Sequence, residues 1–260
     1  MTTRRFLAVV WLFSASSAGA TELAPEDSVE PPPPPTMLAA DEGAFIPAIV
    51  PAGTAREAAL VRVLGGYDST AETGVFDSEV RVRLYGPLTL DAGVTYSAAT
   101  EEMRPRIGAA VQVLKQEKTG VDMTLQLSYK AEGFTEPEGE IEFEAALGRR
   151  WGNWTGVVNL VYGQDWEARE RDGELRLAAQ TRVWKQLHVG LSAHTRVDLG
   201  SEEGAEPVAR GEMDLVAGPV ASYAWNRVAL FAQVGYSMLL LSDDTVKSGL
   251  VAIAGAGTVF

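Results

Sequence analysis

Apolar and polar side chains alternate with a period of two from Glu57 to the last residue. In residues 121–130, "VDMTLQLSYK", the apolar positions are Val121, Met123, Leu125, Leu127 and Tyr129. Asp122, Thr124, Gln126, Ser128 and Lys130 stand between them. Successive side chains of an extended chain point to opposite faces, so the pattern predicts a strand with one oily and one polar face. It predicts about twelve such strands, over residues 59–67, 79–85, 89–98, 106–114, 121–130, 140–149, 154–163, 174–184, 187–199, 212–223, 228–240 and 250–260. No long segment has helical periodicity, which argues against the α/β classes.

A two-faced strand fits a soluble sandwich, with the oily face inside, or a membrane barrel, with the oily face turned to lipid. The connectors decide between them. Short ones ("GPL", "KQEKTG", "RWGN", "KQ", "AWNR") alternate with long ones ("DSTAETGVFDS", "TEEMRP", "EGFTEPEG", "QDWEARERDG", "GSEEGAEPVARG", "SDDTVKSG"). An up-and-down barrel has tight turns at one end and longer loops at the other, whereas a Greek-key sandwich mixes the lengths. The polar faces combine small residues with charge, as in Thr89, Asp91, Gly93, Thr95 and Ser97, which suits a narrow lumen. The opposite faces, such as Ile141, Phe143, Ala145 and Leu147, carry no charge to desolvate. Trp154 and Tyr162 share a face at a separation of roughly 20 Å along the membrane normal, near the spacing of two aromatic girdles. Tyr67, Tyr96, Tyr129, Tyr223 and Tyr236 also end strands on the outward parity. The expected fold is all-β: an antiparallel up-and-down transmembrane β-barrel of about twelve strands, over residues 57–260, closed so that every backbone group is paired.

The ends add a compartment. "MTTRR", the apolar "FLAVVWLFS" and "SASSAGA", with Ala18 and Ala20 in an A-x-A arrangement, form a secretory signal peptide over residues 1–20. The apolar core is too short to span a bilayer. Residues 21–56 form a Pro-rich, disordered linker in which Pro31 to Pro35 set an extended polyproline segment. Within it "FIPAIVP" is apolar enough to tuck into a barrel or lie against its rim. An even strand count puts both chain ends on the short-turn, periplasmic side, with a periplasmic partner as an alternative use of the linker. The net charge of -13 argues against nucleic acid as a partner. The lack of cysteine excludes disulfides, thiolate metal sites and a Cys nucleophile. No cofactor or metal motif is present.

The chain stops on "AGAGTVF". A terminal Phe on an alternating strand, with a Gly several residues before it, resembles the C-terminal insertion signal of bacterial outer-membrane β-barrel proteins. Phe260 and Gly255 match that signal, while Thr258 stands where the family usually has a large hydrophobic residue. The resemblance implies residence in the bacterial outer membrane, contact with its lipid and lipopolysaccharide, and insertion by the barrel-assembly machinery.

The inward parity collects the candidate lumen-lining residues. The basic set is Arg62, Arg81, Arg83, Arg106, Lys130, Arg176, Arg182 and Arg196; the acidic set is Glu79, Asp122, Glu140, Glu142, Glu144, Glu174, Asp198, Glu212 and Asp214. The two histidines, His188 and His194, lie on the inward face of one strand. Opposed patches across a water-filled pore would orient and filter small polar solutes, giving a porin-like passive channel. Charges that pair instead would seal the lumen and leave a structural or adhesive anchor. A hydrolase would need a Ser–His–Asp set, but Ser192, His194 and Asp198 point in parallel from one strand face, so no triad follows. The acidic loop residues Glu132, Glu136, Glu138, Glu202, Glu203, Glu206, Asp243 and Asp244 read as solvation, since no calcium-loop spacing is present.

Overall fold

The structure, a computed structural model, describes residues 59–98, 101–134, 139–166, 170–201, 213–241 and 245–260. The signal peptide, the Pro-rich linker, Glu212 and most of the acidic loop tips lie outside them. Twelve antiparallel strands follow in chain order: β1 (Ala59–Asp68), β2 (Thr73–Tyr85), β3 (Leu88–Ser97), β4 (Glu102–Leu114), β5 (Asp122–Ala131) and β6 (Gly139–Trp151), then β7 (Trp154–Asp165), β8 (Glu170–Trp184), β9 (Leu187–Ser201), β10 (Met213–Trp225), β11 (Val228–Leu240) and β12 (Val246–Val259). Each pairs with its sequence neighbours, and β1 pairs with β12 to close the barrel. Closure leaves no edge and satisfies the ladder without water, as a hydrocarbon environment demands. Among the described residues no helix is long and apolar enough to cross a membrane.

Strand number and order agree with the alternation, but the strands are longer than it predicts at the long-loop end. β2 begins at Thr73 rather than Glu79, β4 at Glu102, β8 at Glu170 and β12 at Val246. The ladder runs on where apolar residues such as Phe76, Met103 and Val246 are scattered among polar ones, because backbone pairing does not need a regular oily face. At the short-turn end one difference appears: "KQEKTG" holds a helical turn, α1 (Gln116–Thr119), which Gly120 ends in a left-handed conformation. Asp122 fastens this connector by accepting from Gln112 Nε2 and from the Gln116 backbone N, each at 2.9 Å.

The pleat sorts the side chains as expected. Leu90, Ile107, Leu127, Leu160, Leu191, Leu230 and Val234 are exposed on the outer wall, and their sequence neighbours turn inward. One register shift, at Arg171/Asp172, lies at the long-loop end, and three β-bulges, at Arg83/Tyr85, Gln112/Leu114 and Arg182/Trp184, interrupt this parity at the short-turn end. Each re-aims the residue after it: Tyr85 and Trp184 pair with the outward Leu88 and Leu187, where strict alternation would turn them inward. With Trp151, Trp154, Tyr223 and Trp225 they form an exposed aromatic belt at that end. Tyr67, Tyr162, Trp166 and Tyr236 are exposed toward the other, where Trp166 meets Tyr129 edge-on at 6.5 Å.

The two rims differ in charge. The short turns and the strand ends beside them carry Arg83, Lys115, Lys118, Arg149, Arg150, Arg182, Lys185 and Arg227 against Glu117 and Asp122. The long-loop rim carries Glu72, Glu101, Glu102, Glu132, Asp165 and Glu170 against Arg104, Arg171 and Lys247 among the described residues.

Candidate functional site

The interior is densely charged along β1–β9. One hydrogen-bonded row crosses four strands as Arg62, Glu79, Gly93 and Arg106. Glu79 is its hub. Arg62 Nη2 donates to Glu79 Oε2 at 2.7 Å, Arg81 Nε donates to Oε1 at 2.7 Å, and Arg106 Nη2 reaches Oε1 at 3.3 Å. Arg106 makes that reach past Gly93, where a Cβ would lie 3.6 Å from its Nη2 and 2.6 Å from the Ser78 carbonyl oxygen. Its Nε also lies 3.8 Å from Asp91 Oδ2. The Glu79 side chain is only 1% exposed, so three guanidiniums converge on a carboxylate removed from water. Charge-assisted bonds of this kind are the strong ones, and a buried acid without them would be very costly.

A second cluster sits on β6–β9. Arg176 Nε donates to Glu174 Oε2 at 2.8 Å, and His194 Nε2 lies 3.3 Å from the same oxygen. Arg176 Nη1 is 3.7 Å from Glu144 Oε2, while Asn159 Nδ2 donates to Glu144 Oε1 at 2.6 Å. Nearer the long-loop end Arg196 Nε donates to Asp172 Oδ2 at 2.6 Å, and the backbone N of Arg196 donates to Asp214 Oδ1 at 3.1 Å. Lys130 Nζ lies 3.7 Å from Glu142 Oε1. The clusters feel one another across the barrel: Glu144 on β6 interacts electrostatically with Arg81 on β2 and Arg106 on β4.

Of the residues singled out by parity, Arg62, Glu79, Arg81, Glu144 and His188 are buried. Arg106, Asp122, Lys130, Glu140, Glu142, Glu174, Arg176, His194, Arg196 and Asp214 are half-buried. Arg83, Arg182 and Asp198 share the inward parity but are exposed near the rims; Arg182 Nη2 donates to Asn153 Oδ1 at 3.0 Å, and Asp198 Oδ1 accepts from the Gly200 N at 2.8 Å. Charged members were missed, among them Asp68, Asp77, Asp91 and Asp172: Asp68 Oδ2 accepts from Ser237 Oγ and Asp77 Oδ2 from Thr95 Oγ1, each at 2.8 Å, and both acids lie in the stretch "DSTAETGVFDS" read as a connector. Asp91 is the single acid on a strand face of small, uncharged residues, so parity does not mark it as part of a charged interior. Asp172 fell in a stretch read as loop. Buried neutral amides were missed too: Gln126, Asn159, Gln180 and Gln233 are each no more than 5% exposed. Nothing in alternation ranks an amide above a serine, so only their burial reveals them.

The interior has a second, different sector. Where β10, β11, β12 and β1 meet at the short-turn end, Leu60, Ala229, Phe231 and Val259 form a buried apolar cluster flanked by Leu64 and Ala224. Phe231 lies across Gly255, where a Cβ would collide with its ring and with the Val63 carbonyl oxygen. Gly255, noted in sequence for its distance from Phe260, thus also makes room for an aromatic ring inside the barrel. Phe260 itself is exposed on the outer wall beside Thr258.

No known family model matches the sequence, and no curated protein does. Solved structures match the fold. A structure of the NanC porin aligns with a TM-score of 0.57 at 8% identity, over 77% of this chain and 100% of that one. The outer-membrane channel DcaP of Acinetobacter baumannii gives 0.43 at 9% identity, over 73% of this chain and 63% of that one. The translocator domain of the autotransporter NalP from Neisseria meningitidis gives 0.42 at 12% identity, over 78% and 87%. The fold argument rests on the first of these, whose whole length aligns with this barrel. Closed twelve-strand topology, an oily exterior belted by aromatics and a charged interior therefore give this chain the fold of a bacterial outer-membrane β-barrel.

Proposed function

We propose that this chain is a porin-like passive channel of the bacterial outer membrane, exported by a cleaved signal peptide and passing small polar solutes. The observation that carries this reading is the opposition of two charged clusters. On the β1–β4 wall Arg62, Arg81 and Arg106 outnumber Glu79 and Asp91, and on the β6–β8 wall Glu142, Glu144 and Glu174 outnumber Arg176, with Glu144 within electrostatic reach of Arg81 and Arg106. Opposed charges at close quarters set a field across a pore and select among ions and dipoles. The apolar outer wall supports residence in lipid, and the Gly255–Phe260 pattern supports insertion by the barrel-assembly machinery. Burial of Glu79, Asp91 and Glu144 favours a second reading, in which the ion pairs close the interior and the barrel serves as an anchor.

Refolded full-length protein in a planar bilayer separates the two. The channel reading expects stepwise openings with a preference for cations, since inward acids outnumber inward bases, and expects Glu142→Gln with Glu144→Gln to move the reversal potential toward anions. A folded barrel that passes no current overturns it and leaves the anchor.

A further inference from the structure

The short turns repeat one arrangement. Strands β2, β6, β8 and β10 run toward this end, and each stops on an aromatic residue: Tyr85, Trp151, Trp184 and Trp225. All four rings are exposed. A cation lies within two residues of each ring, as Arg83, Arg149, Lys185 and Arg227, and all four cations are exposed as well. β4 keeps the cation without the ring, ending on Leu114 before Lys115. The opposite end has exposed rings of its own but lacks the cations. There the strands stop on Asp68, Ser97, Ala131, Asp165, Ser201 and Leu240, and the one cation within two residues of them, Lys130, faces inward to Glu142 Oε1 at 3.7 Å. Closure of the barrel brings the five short turns to one rim, so cations spread from residue 83 to residue 227 form a single ring of charge.

Where these cations point decides what they can meet. On β6 the outward face runs Ile141, Phe143, Ala145, Leu147, Arg149 and Trp151, so Arg149 continues the oily wall and not the lumen. Its cross-strand partner is Gly156, and the Trp151 ring lies over that glycine, where a Cβ would come within 2.9 Å of it. Lys185 holds its Nζ 5.3 Å from the centroid of the Trp184 ring. Among the described residues no carboxylate lies within ion-pair distance of Arg149, Lys185 or Arg227. The rim holds eight bases against Glu117 and Asp122, a formal excess of +6, and Asp122 is already taken up by Gln112 and the Gln116 backbone. At a membrane border Lys and Arg lay their stems along apolar surface and carry their charge out to the headgroups. Trp and Tyr favour the same depth, ring in hydrocarbon and polar atom among headgroups. A soluble partner would not reach Arg149 from the water side, whereas the headgroup of a lipid packed on the wall does.

We propose that this rim binds the phosphates of anionic phospholipids in the leaflet around the short turns, with one cation beside one ring as the unit of recognition. The binding needs the lipid-exposed outer wall and does not depend on whether the lumen conducts. Tryptophan quenching by brominated lipid reads it directly. The full-length chain with Trp11→Phe and Trp166→Phe keeps Trp151, Trp154, Trp184 and Trp225, all at the short-turn rim. It is refolded, its folding is checked by heat-dependent gel mobility, and it is reconstituted in phosphatidylcholine vesicles that hold a fixed fraction of brominated phosphatidylglycerol or of brominated phosphatidylcholine. The expected apparent affinity is about fivefold higher for phosphatidylglycerol, the increment of about one surface cation. Arg149→Gln with Lys185→Gln and Arg227→Gln should bring the ratio to about one. Raising the salt from roughly 0.05 M to 0.5 M should do the same in the chain that keeps its cations, and that arm needs no further variant to fold. A chain that keeps Trp166 alone should show no preference. A ratio of one in the first chain overturns the proposal; so does a preference unchanged in the triple variant or at high salt, or one that Trp166 shares. Quenching by neither lipid overturns the membrane residence itself, whereas equal quenching by both leaves that residence and removes only the headgroup site.

Discussion

The inner wall of this barrel has two sectors built on different physics. From β1 to β9, charged side chains reach across strands and bind one another; around β10–β12 and the start of β1, a Phe ring, aliphatic residues and glycines pack against the wall. The charged sector depends on complete pairing, since each buried ion tolerates desolvation only because of its partners. The apolar sector depends on shape, since Phe231 fits only where Gly255 leaves space. Both kinds of residue occupy the same parity of the same fold. Inward parity alone therefore does not mean a wet surface.

The largest effect is expected where pairing is densest. Glu79→Ala removes the carboxylate shared by Arg62, Arg81 and Arg106 and should destabilise the folded barrel by about 3–5 kcal/mol in urea titrations followed by tryptophan fluorescence. A loss below about 1 kcal/mol would mean that water already screens the cluster. The next effect compares the two faces of one strand. Leu127→Arg, on the exposed outer face of β5, should cost about 2–4 kcal/mol in lipid vesicles, and Gln126→Arg, one residue away on the inner face, clearly less. Equal losses would break the assignment of faces.

A smaller loss is expected in the apolar sector. Gly255→Ala should cost about 1–3 kcal/mol, because the new methyl group meets Phe231 and the Val63 carbonyl. Gly255→Ala with Phe231→Leu should recover only part of this, since the backbone clash persists. The smallest effect belongs to the rims. Glu72 has φ 53 in the β1–β2 turn, a conformation costly for a residue with a Cβ, so Glu72→Gly should stabilise by about 0.5 kcal/mol.

Much of this was legible in residue order. The strand number, the antiparallel sequence of pairings and the outward face of "VDMTLQLSYK" all follow from a period of two, because the pleat is a local property of an extended chain. Parity also named most of the charged interior, including every residue that touches Glu79. Alternation could not say which charges meet. Arg106 reaches Glu79 from two strands away, past a glycine, and Glu144 feels Arg81 from across the barrel. Those encounters depend on register and strand tilt, which are set by turns, bulges and closure together.

The sequence by itself determined a closed, two-faced strand protein with oil on one side and charge on the other, since side-chain direction in a strand needs no distant partner. Tertiary structure alone decided that Glu79 gathers three arginines, that three bulges turn Tyr85, Leu114 and Trp184 outward, and that one sector of the interior is apolar. Each depends on which residues lie opposite one another once the first strand meets the last, and no local periodicity encodes that registration.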